Sequence, residues 1–174
     1  MKFIVQSFPR SGANFLVNNL RLSCDKYVGI SHHPIKLNPN KTIINIIRNP
    51  TDSIASIIWV NEQVMGGTDM GITSQVNLYN IMYQFILDGN GYRMSFDKLT
   101  SNPKEEIRKI LQYFNIEEIE HLIELTEDKP DMSFYASSKN NERYNEILKA
   151  VRDFESKELV LSYKLYTRAL ALCH

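Results

Sequence analysis

Cysteine is scarce in this chain. Cys24 and Cys173 are the only two among 174 residues, and they are far apart in sequence. That excludes a cysteine-built metal site or a disulfide framework and leaves two free thiols in a reducing compartment. Net charge is also missing, because 20 basic residues balance 20 acidic ones. Nothing global therefore draws the chain to nucleic acid or to an anionic membrane, and any anion site must be built locally. No apolar run approaches the ~18 residues of a membrane span, and the run at the start, Met1–Gln6, is too short for a signal peptide. The expectation is a soluble, cytoplasmic protein with no nucleic-acid or membrane partner; its oligomeric state is left open. Internal repeats and low-complexity segments are absent too.

What is present suits one globular domain spanning residues 1–174, with 43% hydrophobic and 23% charged residues. Residues 2–6 and 42–47 are short apolar runs bounded by turn residues, as buried parallel strands require. Residues 27–30 and 92–96 are weaker strand candidates. Helices fall between them. Asn49-Pro50-Thr51-Asp52 supplies an N-cap, a first-turn proline and an acidic residue ahead of Ile54, Ile57 and Ile58. Asn102-Pro103 repeats that pattern ahead of the stripe Ile107, Ile110, Leu111 and Phe114. Residues 75–87 and 117–126 read as helix, and a stripe from Tyr144 to Val151 continues towards the C-terminus. Residues 60–75, with glycines at 66, 67 and 71, read as a loop or lid. Strands alternating with helices predict an α/β fold of three layers, a central, mostly parallel sheet flanked by helices.

One turn in this pattern stands out. After the first strand comes Phe8-Pro9-Arg10-Ser11-Gly12-Ala13-Asn14-Phe15, followed by a helix. A strand, a polar turn and a helix N-terminus present backbone N–H groups and the positive end of a helix dipole to an anion. Gly12 permits a sharp turn and close approach, and Arg10 adds a permanent charge. The G-x-x-x-x-G-K-S/T signature of nucleoside triphosphate loops is nevertheless missing. The local pattern alone fits a plain strand-to-helix turn with a surface arginine equally well. Arg48 stands where the 42–47 strand ends, the edge of a parallel sheet at which ligands bind. Ser56 follows eight residues later, about two helical turns on. Those two residues, taken alone, also fit a helix start with a small buried residue.

Together the segments resemble the sulfotransferases that use 3′-phosphoadenosine-5′-phosphosulfate (PAPS). "FPRSGANFL" is similar to that family's 5′-phosphosulfate loop, Tyr/Phe-Pro-Lys/Arg-Ser-Gly-Thr/Ser-Thr/Ser-Trp-Leu, and "RNPTDSIAS" to its 3′-phosphate motif, with the Arg-to-Ser spacing intact. "FDKLTSNPKEEIRKILQYFNI" is similar to its later Tyr-Glu-Asp-Leu stretch, and "SHHPIKLNP" to the segment carrying its catalytic histidine. The four come in family order between residues 3 and about 116.

The resemblance implies a PAPS-binding loop after the first strand, with Arg10 at the bond that breaks. Ser11 and the N–H groups of Gly12, Ala13 and Asn14 would cradle the 5′-phosphate. Arg48 and Ser56 would hold the 3′-phosphate, Phe96 would lie at the adenine, with core packing an equal reading of that ring, and His32 would be the general base. Imidazole changes protonation near neutral pH, which suits that role. A surface pair, His32-His33, in a proline-containing loop is the plain alternative, and a carboxylate such as Glu62 or Asp69 is another candidate base. Ala13 and Asn14 depart from the family's hydroxyl residues, and Phe15 stands in place of Trp. The family's late R-K-G element is absent; Lys139 or Arg143 falls in its region. The implied reaction is in-line transfer of a sulfuryl group from PAPS to a hydroxyl or amine, leaving 3′-phosphoadenosine-5′-phosphate (PAP), with no metal. The acceptor would be a small molecule, a glycan or a peptide. The alternatives are a P-loop nucleotide kinase and a non-catalytic binder of PAPS or PAP.

Overall fold

Four short runs become the strands of one all-parallel sheet. The computed structural model describes residues 2–24, 26–34, 41–64, 71–116 and 141–174. The strands are β1 (Lys2–Ser7), β2 (Tyr27–Ser31), β3 (Lys41–Ile47) and β4 (Tyr92–Ser95), in the order β2-β1-β3-β4. From β1 the chain moves one way to β2, then returns past β1 to β3. The crevice between β1 and β3 is therefore a topological switch point.

The described helices are α1 (Ala13–Ser23), α2 (Pro50–Val64), α3 (Ile72–Asp88), α4 (Phe96–Ser101), α5 (Pro103–Tyr113), α6 (Glu142–Arg152) and α7 (Lys157–Ala171). They cover both faces of the sheet. Phe3, Val5, Ile44, Ile46 and Met94 form one core with α1, α4 and α5. Phe8 and Ile47 join a second core with α2, α3, α6 and α7. Coverage on both faces explains why the strands read as apolar runs without strict alternation. The three-layer α/β expectation is met, with a sheet that is wholly parallel.

Several boundaries differ from the sequence reading. Residues 60–64 continue α2 and α3 begins at Ile72, so both ends of the expected loop over 60–75 are helical, and residues 65–70 lie outside the described residues. The apolar side chains of α2 keep packing beyond Ile58, through Trp59 and Val60, and hold that helix together. Phe96 is the first residue of α4, because Ser95 Oγ accepts from the Asp97 N–H at 3.2 Å and caps the helix there. Asn49 caps α2 as expected, accepting from the Thr51 N–H at 2.9 Å. Asn102 does not cap α5 in that way; its amide donates to Glu105 Oε2 at 2.7 Å. The C-terminal helix is broken after Arg152, and Ser156 starts α7 by accepting from the Leu159 N–H at 3.0 Å. The expected helix 117–126 lies outside the described residues. Among the described residues no helix is long and apolar enough to cross a membrane.

α3 is anchored to β4 and to α7. Arg93 of β4 donates to the Ile86 carbonyl at 2.9 Å and to the Gly89 carbonyl, satisfying the last turn of α3 and complementing its dipole. Asn80 ties α3 to α7, donating to the Glu158 carbonyl at 2.9 Å and accepting from Ser162 Oγ at 2.6 Å.

Candidate functional site

The register of the sheet brings four distant segments to one edge. Gln6 is level with Ser31, Ser7 with Ile46, and Ile47 with Ser95. The next residues in each segment, His32, the Phe8–Gly12 loop, Arg48 and Phe96, therefore lie in that order along the carboxyl ends of the parallel strands. This is the edge at which open α/β sheets bind ligands.

The β1–α1 loop is shaped by left-handed backbone. Arg10 has φ 66° and Gly12 has φ 81°. At Gly12 only a glycine fits: a Cβ there would lie 2.9 Å from Phe96 Cε2. Gly12→Ala combines that clash with a disfavoured φ, and urea unfolding is expected to show a loss of about 1–3 kcal/mol; an unchanged midpoint would contradict the geometry. Beyond Gly12, α1 starts with no side-chain cap and no acidic residue in its first turn. Its leading N–H groups and positive dipole end suit an anion. The buried Ser7 and Ser11 hydroxyls have no hydrogen-bond partner among the described residues, an expensive state for buried polar groups.

Arg48 joins the loop to the neighbouring strands. Its Nη1 donates to the Arg10 carbonyl across the switch point, and its guanidinium lies 4.3 Å from the centre of the Phe96 ring. Neither contact cancels its charge. Phe96 thus sits between Gly12 and Arg48, packing against both.

Two residues that the sequence reading did not single out hold the Arg48 main chain. The Arg48 N–H donates to Tyr83 Oη at 2.7 Å, and the Arg48 carbonyl accepts from Tyr79 Oη at 2.7 Å and Tyr83 Oη at 2.8 Å. The two rings stack at 4.0 Å on α3 and are fully buried. Burial pushes both phenols well above their ordinary pKa, so they stay protonated donors. A signal was present: tyrosines four residues apart on one buried stripe need partners for two hydroxyls.

The other candidates are placed as follows. His32 Nδ1 lies 3.2 Å from the Ser7 carbonyl. A carbonyl only accepts, so Nδ1 is the nitrogen that donates there and Nε2 is the one turned to other partners. His32 is exposed, as is His33, whose N–H donates to Ser31 Oγ at 3.2 Å. Ser56 is buried on α2, and Ser53, one turn nearer Arg48, is a buried hydroxyl with no partner among the described residues. Asn14 is exposed in the first turn of α1; the Ala13 side chain is buried in the core. Phe15 packs half-buried against that same core. Glu62 is engaged by Arg143, which donates to both its oxygens at 2.9 Å and also to Glu146 at 3.0 Å. That pairing occupies one candidate base and one candidate for the late basic element together. Lys139 and Asp69 lie outside the described residues. Among the described residues no group of three or more His, Cys, Asp or Glu is placed to hold a metal ion.

Among solved structures, the backbone is similar to that of mouse sulfotransferase SULT7A1 complexed with PAP, with a TM-score of 0.61. The alignment covers 97% of this chain and 83% of that one at 13% sequence identity, a likeness of fold. No family model matches the sequence, and no curated protein matches it.

Proposed function

We propose that the protein is a sulfotransferase that moves the sulfuryl group of PAPS to a hydroxyl or amine acceptor. The observation that carries this reading is the junction of Arg48 with the β1–α1 loop at the switch point, where its guanidinium bonds the Arg10 carbonyl and rests on Phe96. A nucleotide with phosphate at both ends of its ribose needs one cationic site at each end. The loop with Arg10 supplies one and Arg48 the other. A sulfotransferase complexed with PAP shares the fold.

The residues present fit such a group. The uncapped α1 N-terminus and the Ser11 hydroxyl, partnerless among the described residues, suit its 5′ end; Arg48, Ser56 and the Ser53 hydroxyl, likewise partnerless among those residues, suit its 3′-phosphate; the Phe96 ring suits its base. PAPS, when bound, supplies an activated sulfuryl group on a phosphate that leaves readily. Arg10 stays protonated at any working pH and stabilises negative charge developing at that phosphate. His32, its Nδ1 proton held by the Ser7 carbonyl, offers Nε2 to take the proton from the acceptor hydroxyl. A kinase reading lacks the Lys-Ser/Thr pair that holds phosphates and magnesium, and leaves the Arg48 junction without a purpose.

Thermal unfolding tests the nucleotide directly. PAP at ~100 times its dissociation constant is expected to raise the midpoint by about 5–10 °C, and ATP with Mg²⁺ by clearly less. Equal or reversed shifts would count against the reading.

A further inference from the structure

β3 ends at Ile47, and α2 begins at Pro50 behind the Asn49 cap. The Arg48 peptide groups lie between the two elements, belonging to neither the sheet ladder nor the helix. Groups without a backbone partner must be met by side chains or by water. Here α3 satisfies them. A single hydroxyl, that of Tyr83, meets both the N–H and the carbonyl of Arg48, and Tyr79 adds a second bond to the carbonyl. Phenylalanine would fill the same apolar space without placing two hydroxyls in a core where each must find a partner. What the hydroxyls add is a fixed orientation for the residue whose guanidinium reaches the Arg10 carbonyl and the Phe96 ring.

We propose that Tyr79 and Tyr83 are positioning residues that set how strongly Arg48 discriminates a nucleotide bearing a 3′-phosphate from one that lacks it. This rests on the site reading above and extends it to the origin of nucleotide selectivity. The two tyrosines touch no nucleotide in this account. They act by holding the Arg48 main chain, so that the guanidinium is ordered before the phosphate arrives and little freedom is lost on binding. Tyr83, which meets both peptide groups, carries more of the effect than Tyr79.

The test is the ratio of affinities for PAP and adenosine 5′-phosphate, measured by calorimetry on the full chain. Tyr83→Phe is expected to lower PAP affinity about tenfold, the worth of a lost hydrogen bond to a buried group, and to change adenosine 5′-phosphate affinity less than twofold. Tyr79→Phe is expected to shift the ratio about threefold, because Tyr83 still holds the same carbonyl. Ile86→Val, a core change on the same helix away from Arg48, lowers stability and leaves the ratio unmoved. If the tyrosines are merely structural, all three variants lower the unfolding midpoint with an unchanged ratio, and the proposal is overturned. Should Tyr83→Phe fail to fold, Tyr79→Phe decides by the same criterion. A wild-type protein that binds the two nucleotides equally overturns the site reading itself and the inference with it. A discriminating wild type with equally discriminating variants overturns the inference alone.

Discussion

In an Arg48→Ala variant, affinity for PAP is expected to fall about 100-fold, on the order of 2.7 kcal/mol, while affinity for adenosine 5′-phosphate falls only a few-fold. The larger loss would be that of the charge-assisted contact proposed between Arg48 and the 3′-phosphate. The smaller one reflects the Arg10 carbonyl, which loses its partner across the switch point when the guanidinium goes. Arg48→Lys should fall between, because an ammonium keeps the charge but cannot bond the carbonyl and a phosphate with one planar fork. Calorimetric titration with the two nucleotides measures both terms; equal losses for the two would remove Arg48 from the 3′ end.

The proposed role of His32 is tested by turnover. His32→Asn is expected to cost 10²–10⁴ in kcat, roughly what a positioned general base contributes, with PAP affinity unchanged. Asn is the sharper substitution, because its amide can still donate to the Ser7 carbonyl in place of Nδ1 but cannot take a proton from an acceptor. Glu62→Gln is the companion variant. Its carboxylate is held by Arg143 through two bonds, so that change should disturb stability more than chemistry. The acceptor is found first by assaying phenols, sugars and peptides with PAPS. Retained turnover in His32→Asn with loss in Glu62→Gln would transfer the base to the carboxylate. A protein that binds PAP tightly and transfers to none of these acceptors fits the non-catalytic binder.

Much of this arrangement was legible in the chain. The run Thr42–Ile47 reads as a buried strand because a strand covered on both faces has no polar side to show. Asn49-Pro50 reads as a helix start because the cap and the proline both act within a few residues. Failures came where tertiary packing competes with local signals. Glycines in the 60–75 stretch suggest a long loop, yet α2 runs to Val64 because packing of Trp59 and Val60 carries it onward. Phe96 suits a strand by propensity, but the Ser95 hydroxyl turns it into a helix start.

The sequence by itself determined the strands, the helix starts at Pro50 and Pro103 and the chemistry available at each turn: the loop arginine and glycine, a second arginine at a strand end, a histidine after another strand. These are local properties, set by hydrophobic period, capping residues and side-chain charge. Only the tertiary structure decided that these turns share one edge, because strand order and register are settled by packing between distant segments. The same holds for the Arg48 clamp. Its tyrosines lie 31 and 35 residues from the peptide they grip, and nothing local to Arg48 announces them. The hydroxyls needed partners, the peptide between sheet and helix needed partners, and the fold brought the two together.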